Sequence, residues 1–372
     1  MRSVTMLDLK AEYALFRDEI RAVVEETLDG QQFIGGPAIG QLERDMQDRF
    51  GFHNAIAVSS GTDAILCTLM ALGVGAGDEV VLPAFTFFAT AGTVARLGAK
   101  PVFVDIDAGT FNVTPAAVEA AVTSRTRTVI VVHLFGQCAD MDAINAMAAK
   151  RNLAVIEDAA QAIGATYHGR NAGTLGTIGC FSFYPTKNLG GFGEGGLITT
   201  GDAELAAVVR QLRNHGESRR YHHERVGGNF RLDTMKAAIL GVKLRRLEEL
   251  NRRRRANAAA YDRLLAGAPV VRPCVAHGCG HVYHQYSILS DRRDELAAYL
   301  RDRGVGTGIY YPIPLHRQPC FAGLGYAEGS LPVTEETCRR ILSIPCHPML
   351  TEEDVRYVAG GILEFHAAEK YA

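Results

Sequence analysis

The sequence predicts an α/β domain with a mostly parallel sheet, joined to a smaller α+β domain. Between residues 55 and 158, short apolar runs of strand length alternate with helical stretches, the order typical of parallel sheets with helical crossovers. After residue 266, a strand, a helix and a further strand lead into an extended loop held by prolines. With 47% hydrophobic and 22% charged residues, the composition is that of an ordinary globular protein.

The spacing of these elements divides the chain into three parts. We expect a large α/β domain over residues 1–235, a long connecting helix over 236–266 and a small α+β domain over 267–372. The connecting helix contains Arg252–Arg255, a basic run of the kind also found in nucleic-acid-binding segments. Because consecutive helical positions point around the axis and the net charge is -2, we interpret the run as a solvated face and expect no nucleic-acid partner.

In the large domain, two amphipathic helices precede the alternating elements. Apolar residues at helical spacing predict one helix over 6–29 and, after the break at Gly35-Gly36-Pro37, a second helix up to Phe50. Apolar runs then predict strands at 55–58, 79–83, 101–104, 128–134, 153–158 and 197–200, with another beginning at 181. The predicted helices between them lie at 64–72, 89–97, from about 115, 140–151 and 202–214.

The small domain is predicted to begin with a strand over 281–288. A helix over 292–303 and a strand over 309–311 follow, and then the loop that contains Pro312, Pro314 and Pro319. A helix over 334–341 and a last helix capped by Thr351 complete the domain.

Several classes of protein are disfavoured by the sequence. It contains neither an apolar run of membrane-spanning length nor the apolar core of a signal peptide, so we expect a cytoplasmic protein without a membrane partner. The eight cysteines are scattered, as is usual for reduced thiols. Cys274, His277, Cys279 and His281 have a spacing that fits no standard zinc module, so no metal is expected.

Four groups of chemically active residues follow the carboxyl ends of predicted strands. They are residues 60–63 (Ser-Gly-Thr-Asp), the aromatic stretch 85–88, Asp158 and Lys187. Ligands of parallel sheets bind at this edge, so we expect these groups to lie together. Lys187 is also followed by five glycines within residues 190–196, which let the backbone approach a ligand closely.

The types of residue in this set match the handles of pyridoxal 5′-phosphate (PLP). A helix that begins with Ser, Gly and Thr binds a phosphate at its positive end, although the same residues are also common as plain N-caps. An aromatic side chain lies on a flat ring, and a buried Asp keeps a ring nitrogen protonated. A lysine amine held out of water forms a covalent bond with an aldehyde. The combination predicts a PLP site.

The sequence resembles the DegT/DnrJ/EryC1/StrS family of PLP-dependent sugar aminotransferases. The resemblance runs from about residue 7 to residue 365. It rests on the motifs SSGTDA (59–64), GDEVVLPAFTF (77–87), GAKPVFVDID (98–107), EDAAQAIGA (157–165), FSFYPTKNLGGFGEGG (181–196) and GGNFRLD (227–233). It implies a fold-type-I architecture like that of aspartate aminotransferase, with a central sheet of the seven-stranded type.

The resemblance also implies roles for individual residues. Lys187 matches the lysine that binds the cofactor covalently, and Asp158 matches the partner of the ring nitrogen. Asn229 matches a residue that reaches the cofactor phosphate of the other subunit, which implies a homodimer with shared active sites. Other cofactor contacts implied are Gln161 near the 3-hydroxyl, Phe87 stacked on the ring, and Gly61, Thr62, Asp63 and Ser182 at the phosphate.

The implied reaction transfers an amino group from L-glutamate to a nucleotide-linked keto-sugar, at C3 of a dTDP- or UDP-linked 3-keto sugar. The implied substrate contacts are Arg231, Tyr311 and His316, although Arg231 is equally suited to an interface ion pair. Family members with His in place of Lys187 are dehydratases, so the lysine favours transamination. The alternatives left open are a C4-sugar or keto-cyclitol aminotransferase, a PLP-dependent sugar dehydratase, and a non-catalytic regulatory protein on the same fold.

Overall fold

The computed structural model describes residues 2–367, which form fourteen strands and thirteen α-helices. The strands are β1 Asn54–Val58, β2 Glu79–Pro83, β3 Lys100–Val104, β4 Thr126–Val132, β5 Ala154–Asp158, β6 Thr166–Tyr167, β7 Arg170–Asn171, β8 Ile178–Ser182, β9 Gly196–Thr200, β10 Glu217–Arg219, β11 His222–His223, β12 Cys279–Gly280, β13 Tyr286–Leu289 and β14 Ile341–Ile344.

The helices are α1 Leu9–Ala14, α2 Arg17–Gly30, α3 Pro37–Phe50, α4 Gly61–Ala71, α5 Ala89–Arg96, α6 Pro115–Ala121, α7 Met141–Lys150, α8 Ala203–Arg213, α9 Thr234–Leu244, α10 Leu247–Leu264, α11 Arg293–Asp302, α12 Pro332–Arg340 and α13 Glu352–Ala367. Within residues 2–367, no helix combines the length and the apolar character needed to cross a membrane.

A seven-stranded sheet in the order β1-β9-β8-β5-β4-β2-β3 forms the centre of the large domain. β9 runs antiparallel to β1 and to β8, whereas the other neighbouring strands are parallel. Six strands therefore point the same way, and their carboxyl ends share one edge of the sheet. The predicted mostly parallel sheet is confirmed.

Helices cover both faces of this sheet, which explains why its strands read as continuous apolar runs. In β2, Val81 faces a core with Leu42 and Met46 of α3, while Val80 packs on the opposite side with Leu69 of α4. The alternation follows from the two-residue period of a strand. Every residue of β2 is buried as a result.

A separate core holds the C-terminal part of the chain together. The antiparallel pair β13 and β14 packs with α10, α11 and α13, and Tyr261, Tyr286 and Leu300 are among its fully buried side chains. Val4 packs in the same core and pairs with Val305, so the first residues of the chain lie against the C-terminal part. The domain boundaries of the sequence analysis stay a prediction.

Four local elements differ from the sequence-based expectation, and one of them is the strand expected over 281–288, which begins only at Tyr286 in β13. The helix expected over 6–29 breaks between α1 and α2, and the connecting helix breaks between α9 and α10. At the second break the Arg246 N–H bonds to the Lys243 carbonyl, three residues back instead of four, which tightens the last turn. No proline or glycine marks either break. The expected strand over 309–311 is absent because its pairing with β14 ends at Gly308, which exchanges two hydrogen bonds with Ser343.

Candidate active site

Lys187 lies in the connection between β8 and β9, just beyond the carboxyl edge of the sheet. Its backbone N–H donates to the Tyr184 carbonyl at 2.8 Å, which fixes a tight turn, and its side chain is half-buried. Burial lowers the pKa of Lys187 to about 8, against the opposing effect of the Asp158 carboxylate. Near neutral pH, the unprotonated fraction of this amine is therefore far larger than that of an ordinary lysine, which favours a nucleophilic role.

Asp158 is the last residue of β5, the strand beside β8, and it is only 5% exposed. Its carboxylate accepts a hydrogen bond from Thr90 Oγ1 at 2.7 Å and one from the Ala160 N–H at 3.3 Å. Burial raises the pKa of Asp158, while these two hydrogen bonds and the charge of Lys187 act in the opposite direction. The carboxylate is thus short of donors, and a cationic N–H placed against it would stabilise its charge.

The start of α4 packs directly against the end of β8. A Cβ at Gly61 would lie 2.6 Å from the Ser182 Cβ, so only glycine allows this approach. The Ser182 hydroxyl oxygen accepts from the Tyr184 N–H at 3.2 Å, which leaves its own proton free to donate. The side chain of Thr62 is exposed in the first turn of α4. The first N–H groups of a helix have no acceptor inside it, so they are available to an anion.

The Asp63 carboxylate has another role in the same turn. It accepts from the hydroxyls of Ser59 at 2.7 Å and Ser60 at 3.0 Å, and the Asp63 N–H donates to Ser60 Oγ. Ser60 is the N-cap of α4, so these bonds hold the turn in shape. The structure therefore gives Asp63 a part in building the turn.

Phe87, Gln161 and Tyr311 form one wall of the site. Phe87 is 58% exposed although it is a large apolar side chain, and its ring lies 6.3 Å from the Tyr311 ring. Gln161 Oε1 accepts from the Phe135 N–H at 2.7 Å, so its Nε2 donates to the Tyr311 hydroxyl at 3.2 Å. The Tyr311 oxygen is then an acceptor toward Gln161, and its proton is free to donate elsewhere. Burial raises the pKa of Tyr311, which keeps that proton in place.

The three other predicted residues, Asn229, Arg231 and His316, have different surroundings. Asn229 is exposed in the segment that pairs beside Ser59, whose N–H donates to the Phe230 carbonyl at 2.9 Å. Arg231 donates to Asn214 at 2.5 Å and lines a cleft of about 780 Å³ along α3 and α8, which neither Lys187 nor Asp158 lines. His316 is 2% exposed, and its Nε2 lies 3.1 Å from Glu335, so its ring is enclosed.

The sequence analysis did not identify Thr90, which donates to Asp158, or Asn188 and His284, which hold the backbone next to Lys187. Thr90 lies in α5, and only the folded sheet brings it to Asp158, so no spacing in the sequence points to it. Asn188 and His284 are hydrogen-bonded to each other although 96 residues separate them. Within residues 2–367, no cluster of three or more His, Cys, Asp or Glu is arranged to hold a metal ion.

The residues of the site fit PLP. A donor-poor buried carboxylate suits a protonated ring nitrogen, and an exposed Phe ring suits a flat cofactor. The same edge offers the start of α4 with the free Ser182 proton for a phosphate, and the Lys187 amine with its lowered pKa for an aldehyde. Each handle of the cofactor thus has a chemically matched partner.

Comparison with known proteins agrees with this site. The model of the DegT/DnrJ/EryC1/StrS aminotransferase family matches residues 15–363. The chain is 51% identical to a pleiotropic regulatory protein of Geobacillus stearothermophilus, over 98% of this chain and 99% of the relative. It is 45% identical to the UDP-2-acetamido-2-deoxy-3-oxo-D-glucuronate aminotransferase of Pseudomonas aeruginosa, over 96% and 99%.

Solved structures give the same result. The crystal structure of DesV from S. venezuelae in complex with a ketimine intermediate superposes with a TM-score of 0.96 at 42% identity, covering 98% of this chain and 99% of DesV. The structure of NtdA from Bacillus subtilis with bound cofactor PMP superposes with a TM-score of 0.89 at 32% identity, over 98% and 86%.

Proposed function

Because the chain belongs to the DegT/DnrJ/EryC1/StrS aminotransferase family, whose members are PLP-dependent aminotransferases, we propose that it transfers an amino group from L-glutamate to C3 of a nucleotide-linked 3-keto sugar. The observation that carries the proposal is the Lys187 amine beside the buried Asp158 carboxylate at the carboxyl edge of the sheet. The choice of C3 is supported by the 3-oxo sugar named for the Pseudomonas relative and by the dTDP-linked 3-amino sugar named for a relative from Streptomyces venezuelae.

The residues of the site divide the work of such a reaction. PLP, when bound, supplies an aldehyde carbon that carries the amino group and a ring that withdraws electrons. In the first half-reaction, Lys187 Nζ would move a proton from the Cα of the amino donor to the carbon that carries the amino group. In the second half-reaction, it would move a proton from that carbon to C3 of the sugar. Asp158 holds the ring nitrogen in its charged form, and Thr90 orients that carboxylate. The Tyr311 hydroxyl accepts from Gln161, so its proton is available to a ligand that enters the site.

We also propose that the protein is a homodimer whose active sites are shared. Large apolar side chains are exposed in the Lys187 loop at Tyr184 and Phe192, and elsewhere on the surface at Phe33, Ile34 and Val226. A second copy of the chain would cover them. Asn229 is exposed and would then contribute to the partner's site.

Mixing two inactive variants tests the shared site. Lys187→Ala lacks the lysine and Asn229→Ala lacks the residue given to the partner. In a mixed dimer, one of the two sites has both residues intact, so random mixing restores about one quarter of the sites. No recovery after subunit exchange, checked by a tag on one variant, contradicts the shared site.

We place the reaction in the cytoplasm. All eight cysteines are unpaired, at positions 67, 138, 180, 274, 279, 320, 338 and 346. Unpaired cysteines are usual where thiols are kept reduced. Measuring the protein in cell fractions checks this placement.

The main experiment follows the amino group in two steps. The purified protein is expected to absorb in the near ultraviolet with PLP, and borohydride is expected to fix the cofactor to Lys187, as read by peptide mass spectrometry. In a separate sample without borohydride, glutamate alone should convert the bound cofactor to its amino form, and a panel of nucleotide-linked 3-keto and 4-keto sugars should reverse the conversion. Recovery with 4-keto sugars alone contradicts the assignment to C3.

A regulatory role is the second candidate, because the Geobacillus relative is named a pleiotropic regulatory protein. A colourless protein that takes up no added PLP would favour it over every enzymatic function. Bound PLP that reacts with no amino donor would favour a dehydratase. Glutamate-dependent conversion of the cofactor distinguishes the proposed aminotransferase from both.

A further inference from the structure

Asn188, the residue after Lys187, is buried and hydrogen-bonded on every side. It is 5% exposed, and its Nδ2 donates to the Val282 carbonyl at 3.1 Å and to Asn251 Oδ1 at 2.8 Å. Its Oδ1 lies 3.2 Å from His284 Nδ1. The backbone that carries the reactive lysine is therefore tied to α10 and to the segment before β13.

These bonds determine which atom is the donor in each hydrogen-bonded pair. A backbone carbonyl only accepts, so the Val282 oxygen requires the NH₂ group of Asn188 on its side. Asn251 is anchored in the same way, because its Nδ2 donates to the Ile163 carbonyl at 3.2 Å. The Asn188 oxygen must then face His284. Since an amide oxygen only accepts, His284 Nδ1 must carry a proton.

The other nitrogen of His284 is consequently a free acceptor. His284 is 6% exposed, and burial holds its pKa well below the ordinary value, as do the positive charges of Lys187 and Arg254. The ring is neutral, with its single proton on Nδ1 and a lone pair on Nε2. Among residues 2–367, none forms a hydrogen bond with that nitrogen.

His284 is also fixed to the opposite wall of the site. The backbone N–H of His284 donates to the Phe135 carbonyl at 2.8 Å. The backbone N–H of Phe135 donates to Gln161, whose side chain donates to the Tyr311 hydroxyl. Asn188, which follows Lys187 in the chain, is thus connected through His284, Phe135 and Gln161 to Tyr311. The ring of His284 contacts the Lys187 side of the site, and its backbone contacts the Tyr311 side.

We infer that His284 is a positioning residue of the active site: its Nδ1–H donates to Asn188 and so holds the backbone that carries Lys187. The inference rests on the proposed role of Lys187.

The first experiment reads the tautomer directly and does not depend on activity. The protein is labelled with ¹⁵N-histidine, and its solid-state NMR spectrum is recorded with and without PLP. The signal of His284 among the 12 histidines is assigned by its loss in His284→Asn. A neutral ring with Nδ1–H is expected at neutral pH in both states. An Nε2–H tautomer or a doubly protonated ring overturns the inference.

The second experiment compares two substitutions that keep different nitrogens. Asn at 284 places an N–H close to the position of His Nδ1, whereas Gln places one close to Nε2. His284→Asn is expected to retain most of the kcat, and His284→Gln is expected to lose about 10- to 100-fold in kcat with little change in KM, since a small displacement of a reacting group has effects of that size.

The fold of both variants is checked by thermal unfolding before their rates are compared. Equal losses in the two variants, or no loss in either, overturn the positioning role. If no variant and no wild-type protein shows transamination, the proposed function has failed, and the NMR result still decides the tautomer of His284.

Discussion

Two neighbouring carboxylates at the end of β5 face opposite sides of the central sheet, and their surroundings differ. Glu157 is fully buried and accepts from the N–H groups of Gly173, Leu175 and Gly176 at 2.6–2.7 Å. It also lies 2.8 Å from His133 Nε2. Asp158, one residue later, has only the Thr90 hydroxyl and one longer bond to a backbone N–H.

The His133 ring completes the difference. Its Nδ1 accepts from the Ala139 N–H at 3.3 Å, so its proton is on Nε2 and is donated to Glu157. Glu157 thus has four donors from the protein itself, which is what a structural carboxylate in a core needs. Asp158 is left with room for a further donor. Of these two buried acids, we propose that the one with the incomplete set of partners takes part in the reaction.

The largest expected effect is that of Lys187→Ala, which tests whether the reaction takes place on the Asp158 side of the sheet. Lys187→Ala removes the covalent attachment and the proton carrier together. We expect turnover to fall by at least about four orders of magnitude, since proton transfer alone contributes about 10²–10⁴. Steady-state assays measure the loss, and circular dichroism checks the fold. Appreciable turnover in this variant contradicts the assignment of the lysine.

Asp158→Asn is expected to have the next largest effect on activity. The amide cannot keep the ring nitrogen charged, so we expect kcat/KM to fall about 10²- to 10³-fold, as when one preorganised electrostatic partner is lost. Because burial already disfavours the Asp158 charge, the cofactor-free variant is expected to be as stable as the wild type. A marked loss of stability with full activity would reverse the roles of the two acids.

Glu157→Gln is the matched substitution on the other side. The NH₂ group of Gln would face N–H donors and leave at least one without an acceptor. The free energy of unfolding is expected to fall by about 1–3 kcal/mol for each such donor. Chemical denaturation measures the change. Activity per folded molecule is expected to stay near that of the wild type, and a loss as large as that of Asp158→Asn would remove the distinction.

Thr90→Val sharpens the account of Asp158 with a smaller effect. The substitution keeps the shape of the side chain and removes the hydroxyl that orients the carboxylate. A hydrogen bond to a charged group contributes about 1.5–3 kcal/mol, so we expect kcat/KM to fall by roughly 10- to 150-fold. Thr86→Val is a suitable control, because the Thr86 hydroxyl bonds to Thr90 and not to Asp158.

The last expected effect does not concern activity: it is a dependence of stability on pH in the cofactor-free protein. The pKa of Lys187 is lowered from 10.5 to about 8 in the folded state, so folding disfavours its proton. Unfolding free energy should therefore rise with pH between about 8 and 10.5, relative to Lys187→Met, and the difference should be constant below that range. A parallel pH profile in the two proteins contradicts the lowered pKa.

The sequence predicted the sheet and the elements that carry the site, because both leave local signals. Apolar runs of strand length identified the strands, and Asp158 and Lys187 follow them closely enough to be assigned to one edge. The supporting residues left no such signal. Thr90 reaches Asp158 across 68 residues, and His284 reaches Asn188 across 96, so only the folded chain shows these contacts.

The breaks between helices were missed for a similar reason. At Arg246 the helical spacing of apolar residues continues, and only a hydrogen bond three residues back marks the bend. His316 shows that sequence spacing does not reveal how deeply a loop residue is buried. The substrate contact expected of His316 stays a prediction, while the structure encloses its ring against Glu335 and Tyr326. Burial of a loop residue depends on what packs over it, which spacing does not encode.

The antiparallel placement of β9 has a consequence for how the site is carried. Ser182 and Gly196 pair directly across β8 and β9, so both ends of the Lys187 connection are joined in the sheet. The two ends of the loop are therefore held side by side, and Ser182 lies at the base of the loop that carries Lys187. We therefore expect the residues that select the substrate to lie in the segments around this loop. The loop itself is expected to hold the Lys187 amine in the same place in relatives with different substrates.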